Sequence, residues 1–317
     1  MADLVSLADI EAAAERISGR VVHTPTVPSP GLSALLGVPV TTKLEHLQRS
    51  GSFKARGVFT KIATLTAAER DAGLVAVSGG NHGIAVADAA GSLGIRATVV
   101  MPDYASARAV DGCRAAGAEV RLTPDVPSAF ALATELEAAG TTLVHPFDDP
   151  ATIAGQGTVG LEMARDLPEP VTDVLVSIGG GGLASGVAAA VRALLPGVRV
   201  WGVETVGAEA MSAALRAGGP VPVELSSFVT SLSAPSASQL TYDHVRELVH
   251  EVLVVSDDEA LHGTVELAEH GRVWAEPAAG CLVPAARRVI DRVDDARIAL
   301  VVCGGNTSFA DIAARLP

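Results

Sequence analysis

Cysteine is nearly absent, positive charge is in deficit, and no apolar run long enough to cross a membrane stands free of glycine. Only Cys113, Cys281 and Cys303 occur among 317 residues, without the paired spacing of a metal knuckle or a disulfide framework. A reducing, cytoplasmic setting is expected. Lys and Arg total 23 against 36 Asp and Glu, a formal charge of −13, which is the wrong sign for gripping phosphate backbones or anionic membranes. Nucleic-acid and membrane partners are therefore not expected. No basic segment followed by an apolar core opens the chain, so no signal peptide is read there. The uncharged stretch between Asp173 and Arg192 has membrane-like length, but it carries Gly179, Gly180, Gly181, Gly182 and Gly186 and reads as a buried strand, loop and helix.

What is present is alternation. Short Val- and Leu-rich runs at residues 74–77, 97–101, 119–122, 143–145, 174–178, 198–203, 252–255 and 298–302 are each followed by an Ala-rich helical stretch, the pattern of a parallel sheet covered on both faces. Ser6-Leu7-Ala8-Asp9 and Thr66-Ala67-Ala68-Glu69 are capping patterns that start helices. At this length one core is not enough, and the expectation is an α/β protein of two lobes with open, twisted, mostly parallel sheets. A small lobe spans residues 67–148, in which Gly94, Gly117 and Gly140 close helices. A larger one is built from residues 1–66 and 149–317. The active site is expected in the cleft between them.

Lys54 lies in Ser52-Phe53-Lys54-Ala55-Arg56-Gly57. A lysine amine can hold an aldehyde cofactor as a Schiff base and then move a proton, which is the chemistry of pyridoxal phosphate. Three glycine-rich turns fit that use. Gly179-Gly180-Gly181-Gly182-Leu183 leaves a strand and enters a helix, so its backbone amides and the helix dipole suit a phosphate. Ser78-Gly79-Gly80-Asn81-His82 also joins strand to helix; its amides and the Ser78 hydroxyl can receive a carboxylate, as an amino-acid substrate supplies. Asn81 suits the phenolic oxygen of a pyridoxal ring or, alternatively, caps the helix, and His82 reads as structural. Cys303, at a strand's carboxyl end, is either an inert core thiol or a weak neutral partner for the pyridine nitrogen. The rival reading is a dinucleotide fingerprint, Gly179-x-Gly181-x-x-Ala184 with Glu204 ending the next strand, and it leaves Lys54 without a task.

Taken in order, these segments resemble the serine/threonine dehydratase and serine racemase group of fold type II (tryptophan synthase β-like) pyridoxal phosphate enzymes. The resemblance also takes in Gly19 to Pro25, Lys43-Leu44-Glu45, Ile153 to Thr158, Ala275-Glu276-Pro277-Ala278 and Cys303-Gly304-Gly305-Asn306. It implies that Lys54 bonds the cofactor aldehyde, that Phe53 packs beside the ring, and that Asn81 meets the phenolic oxygen. Gly179 to Leu183 would hold the phosphate, Ser78 to His82 the substrate carboxylate, and Cys303 the pyridine nitrogen. It implies a cation site at Glu204 and the Ala208 carbonyl, for a divalent or monovalent ion, although Ala210 stands where some relatives have a second acid. Gly79 replaces the second serine of racemases, so racemisation is disfavoured, and residues 229–235 depart from the usual pattern beside the substrate.

The expected activity is β-elimination from a β-hydroxy amino acid such as L-threonine or L-serine, giving a 2-oxo acid and ammonia, with the cofactor phosphate helping the hydroxyl depart. A cytoplasmic homodimer is expected. The alternatives are β-replacement or racemisation with the same cofactor, or a nicotinamide-dependent dehydrogenase.

Overall fold

All eight strands expected from the sequence form, and two more join them. The computed structural model describes residues 4–316. Its strands are β1 (Thr26–Pro28), β2 (Val40–Leu44), β3 (Leu74–Val77), β4 (Ala97–Pro102), β5 (Glu119–Thr123), β6 (Thr142–Leu143), β7 (Asp173–Ser177), β8 (Arg199–Thr205), β9 (Glu251–Val255) and β10 (Ile298–Val302). They build two sheets. A six-stranded sheet runs β1-β2-β10-β7-β8-β9 and a four-stranded sheet β5-β4-β3-β6. Every pairing is parallel except β1 with β2, so crossover helices cover the faces and the strands carry near-continuous apolar sequence.

The two unexpected strands have chemical reasons for escaping notice. β2 reads Val-Thr-Thr-Lys-Leu, with Thr41, Thr42 and Lys43 all buried, so no apolar alternation marks it. β1 is three residues long, sits at the sheet edge and ends in Pro28, the position where a missing N–H costs the ladder least. At the other extreme β6 stops early. His145 Nδ1 accepts the backbone N–H of Asp148 at 2.7 Å and turns the chain toward the helix Pro150–Asp166.

Helix ends follow local sequence. Ser6 with Asp9 and Thr66 with Glu69 both form reciprocal capping boxes, which satisfy amide groups the first turn leaves free. Small residues then set how closely helices approach. The helices Pro150–Asp166 and Gly182–Leu194 touch through Gly157 and Gly186, where a Cβ on Gly186 would overlap the Gly157 nitrogen and the Ile153 carbonyl.

A buried ion cluster joins the first part of the chain to the middle. The Arg56 guanidinium, fully buried, donates to both oxygens of Glu45 at 2.8 Å and both oxygens of Glu162 at 2.7 Å. Lys43 Nζ donates to Glu162 at 2.6 Å and to the Thr24 carbonyl at 2.7 Å. Bidentate geometry on both carboxylates compensates the desolvation of the guanidinium. Arg56 sits two residues into the helix Lys54–Thr64, so the cluster also fixes how that helix is turned. Arg56→Ala leaves the fully buried Glu45 without its cation and Glu162 with Lys43 alone, and is expected to lower unfolding free energy by about 3–5 kcal/mol. A urea titration followed by far-ultraviolet dichroism measures it.

Candidate active site

Lys54 is the first residue of its helix, and the loop before it is zipped to the loop after β10. The Phe53 N–H donates to the Cys303 carbonyl and the Gly305 N–H to the Gly51 carbonyl, each at 3.0 Å, around a bridge between Ser52 and Gly304. Gly51 has a φ of +74°, and a Cβ there would overlap the Asn306 side chain, so the zipper needs glycine twice over. The result sets Lys54 beside Cys303. Its Nζ donates to the Pro146 carbonyl at 3.1 Å and lies 5.0 Å from the centre of the Phe53 ring.

Burial lowers the Lys54 pKa to about 8, although Cys303 and Glu276 nearby favour the charged form. A large part of the amine is therefore free base at mildly alkaline pH, as a nucleophile and proton acceptor requires. Burial also pushes the Cys303 thiol up to about 12, with Glu276 adding to the rise. It stays neutral and accepts a contact from the Ser177 hydroxyl at 3.4 Å.

The glycine turn after β7 is enclosed rather than loose. Gly181 has a φ of +95° and is the N-cap of the helix Gly182–Leu194. A Cβ on Gly180 would overlap the Phe147 ring, one on Gly181 would come within 2.8 Å of Thr241 and 2.9 Å of Met211, and one on Gly179 within 3.1 Å of the Leu232 carbonyl. Gly180 and Gly181 are thus demanded by close neighbours, while Gly179 and Gly182, whose Cβ would lie 3.0 Å from Phe147, have little room to spare. Their amides and those of Leu183 lie at a helix N-terminus, which favours a dianion.

The turn after β3 is organised differently from a simple cap. The Ser78 hydroxyl accepts the Gly80 N–H at 3.2 Å, and Gly80, not Asn81, is the N-cap of the helix Asn81–Leu93. The capping alternative for Asn81 therefore fails. Its Nδ2 donates to Glu276 Oε1 at 2.7 Å, and its Oδ1 accepts from Asn306 Nδ2 at 2.7 Å. Gly79 approaches Ala105, which a Cβ would meet at 3.0 Å. His82 is buried with one ring nitrogen on the Val144 carbonyl at 2.7 Å, and burial, with Lys54 nearby, takes its pKa down to about 3. It carries no charge at neutral pH.

Glu204 has a structural occupation. Its two oxygens accept the N–H groups of Met211 and Ser212 at 2.7 and 2.9 Å, where the helix Ala210–Ala217 begins, and burial raises its pKa to about 7. The acid that a ribose would need is thus already committed. No cluster of three or more His, Cys, Asp or Glu suited to a metal occurs among the described residues, and the Ala208 N–H is bonded to the Thr205 carbonyl.

Four contributors were not foreseen from the sequence as working parts. Pro146 and Phe147 come from an unremarkable turn, and Asn306 and Glu276 were noted only as members of motifs. Glu276 is 4% exposed and is the one acid in an uncharged run from Val273 to Ala286. That isolation was the available signal.

These residues fit pyridoxal phosphate. A glycine cradle that any Cβ would fill lies at a helix N-terminus, a lysine with a lowered pKa sits beside an aromatic ring and a neutral thiol, and the Asn81 amide keeps one N–H spare. Ser52 Oγ and Ser185 Oγ, beside Lys54 and in the first turn after the cradle, are buried without a partner among the described residues. Two sheets, a buried lysine and an enclosed phosphate-type loop define a cofactor-dependent α/β enzyme.

The comparison with known families narrows this class. The model described as "Pyridoxal-phosphate dependent enzyme" matches residues 17–304, and the chain belongs to that family. It is 39% identical to an L-threonine ammonia-lyase of Thermotoga maritima over 96% of this chain and 76% of that protein. It is 38% identical to a phenylserine dehydratase of Ralstonia pickettii over 99% and 98%. A solved structure of maize serine racemase superposes with a TM-score of 0.92 at 31% identity, covering 98% of this chain and 96% of that one. The architecture is fold type II, as the sequence motifs led one to expect.

A lysine of pKa about 8 makes a pH-dependent prediction. Protonated below that value and free above it, the Lys54 amine should make apoprotein take up pyridoxal phosphate at a rate that climbs about tenfold from one unit below its pKa and levels off above it. Stopped-flow absorbance measures the profile, and an exposed lysine would still be climbing two units higher.

Proposed function

We propose that this enzyme is an ammonia-lyase acting on β-hydroxy amino acids of the L-threonine and L-serine type. Each substrate yields one 2-oxo acid and one ammonia, 2-oxobutanoate from threonine and pyruvate from serine. The observation that carries this reading is Lys54, a buried amine beside the neutral Cys303 thiol that donates to the carbonyl of Pro146, whose neighbour Phe147 lies against the glycine cradle. The curated relatives named above act by removing ammonia or water from such amino acids, which supports it.

The geometry supports a set of residue roles. Gly179, Gly180, Gly181, Gly182 and Leu183 offer amides to the phosphate, and Phe53 bounds the ring on the side of Lys54. Ser78, Gly79, Gly80, Asn81 and His82 present the start of the helix Asn81–Leu93 to the substrate carboxylate, with His82 acting through its backbone alone. Pyridoxal phosphate, when bound, supplies the electron-withdrawing ring that makes the Cα proton removable. Lys54 Nζ accepts that proton, and its lowered pKa matches it to the task near neutral pH. Cys303, whose thiol stays neutral, would offer the pyridine nitrogen only a weak donor and would add little positive charge there. Gly79 supplies no hydroxyl, which leaves the opposite face of Cα without a proton donor from this position and disfavours racemisation.

The same proposal takes residues 67–148, which carry the four-stranded sheet, as one lobe, and residues 1–66 with 149–317 as the other. It includes a cytoplasmic homodimer. No helix among the described residues is long and apolar enough to cross a membrane.

The test is release of ammonia and 2-oxo acid from L-threonine, L-serine and L-threo-phenylserine without added thiol. Lys54→Ala should lower turnover by about a thousandfold or more, the scale of a lost proton-transfer group that also anchors the cofactor. Turnover that requires a second nucleophile would identify a β-replacement enzyme instead.

A further inference from the structure

Glu276 is the buried acid nearest the chemistry to which no task has been given. It opens the helix Pro277–Gly280, its own N–H donates to the Gly304 carbonyl, and its carboxylate is met by donors only. Asn81 Nδ2 reaches Oε1 at 2.7 Å, and the Ser231 hydroxyl, the Asn306 backbone and the Lys54 amine also favour its charged form against the burial that raises its pKa. The hydrogen-bonding groups among these each offer a hydrogen to the carboxylate, and of them only the Ser231 hydroxyl could also take one.

This one-sidedness fixes a direction. Asn306 Nδ2 spends its two hydrogens on the Ser50 carbonyl and on Asn81 Oδ1, at 2.8 and 2.7 Å. Asn81 therefore has its carbonyl edge filled and one of its two N–H bonds on Glu276, which leaves one N–H over. Turning the Asn81 amide by 180° would set its NH2 against the Asn306 NH2 and its carbonyl against a carboxylate, so both ends of the clasp reject the flip. Which edge an asparagine presents is decided by such partners and by nothing in its shape.

We propose that Glu276 is a positioning residue that holds Asn81 as a hydrogen-bond donor toward the phenolic oxygen of the pyridoxal ring. It rests on the reading of Asn81 given above. The clasp Ser50–Asn306–Asn81–Glu276 also joins the helix start after β3 of the four-stranded sheet to the loop after β10 of the six-stranded sheet, so the donor is held by segments of the other sheet. A donor at that oxygen favours its anionic form and the visible absorbance that goes with it.

Glu276→Gln tests this, because it keeps size and burial but replaces an acceptor-only group with one that also donates. Apoprotein of the wild type, Glu276→Gln, Asn81→Ala and the double variant is titrated with pyridoxal phosphate, reading the dissociation constant and the ratio of visible to near-ultraviolet absorbance of the bound cofactor. The expected result is about tenfold weaker binding and a shift toward the near-ultraviolet band for Glu276→Gln, the loss of one hydrogen bond to a charged group. The double variant should be no worse than Asn81→Ala alone, since Glu276 then has nothing to orient. A wild-type spectrum and affinity in Glu276→Gln with a changed Asn81→Ala would overturn the proposal, as would additive losses in the double variant. An unchanged Asn81→Ala would instead remove Asn81 from the ring and sink the reading beneath it. Thermal melting of each apoprotein identifies a variant that fails to fold, in which case Glu276→Asp, shorter but still acceptor-only, takes its place and should retain the visible band.

Discussion

An amine kept largely from water at the first residue of a helix is the constraint around which this molecule is arranged. A lysine is ordinarily a hydrated cation on a flexible stem; burying Lys54 beside Phe53 and the Pro146 carbonyl destabilises its charge and lowers its pKa to about 8, although Cys303 and Glu276 favour the cation. That state needs rigid surroundings, because a mobile lysine would find water. The zipper of residues 51–53 on residues 303–305 and the Arg56 cluster with Glu45 and Glu162 supply that rigidity from two directions. One fixes the start of the helix and the other its rotation.

The groups facing the lysine are drawn from segments far apart in the chain, and backbone contacts bring them together more than side-chain ones. Glycines make this possible. Phe147 lies on Gly180, Thr241 and Met211 on Gly181, and Leu232 on Gly179, so the cradle is formed by what its neighbours leave open. Glu204 serves the same end at one remove. By accepting the N–H groups of Met211 and Ser212 it starts the helix whose Met211 side chain borders the cradle.

Much of this was legible in the sequence, for identifiable reasons. Parallel strands buried on both faces write themselves as runs such as Ile298–Val302, and a glycine quartet after such a run has few uses other than a close approach. β2 was not legible, because Thr41, Thr42 and Lys43 are polar and become core only through the Arg56 cluster and sheet pairing, which involve residues over a hundred positions away. Asn81 looked like a possible helix cap because Asn at a helix start usually is one, and it took the positions of Glu276 and Asn306, 195 and 225 residues on, to give its amide another occupation. Pro146 and Phe147 carried no signal at all, since their importance is a matter of where a turn between two sheets happens to bring them.

The central claim is that the nitrogen of Lys54 bonds the cofactor. Borohydride reduction of the protein loaded with pyridoxal phosphate, followed by proteolysis and mass spectrometry, should place a single pyridoxyl group on the peptide containing Ser52 to Gly57, at Lys54. A label on Lys43 or Lys61, or none on any lysine, would contradict the account.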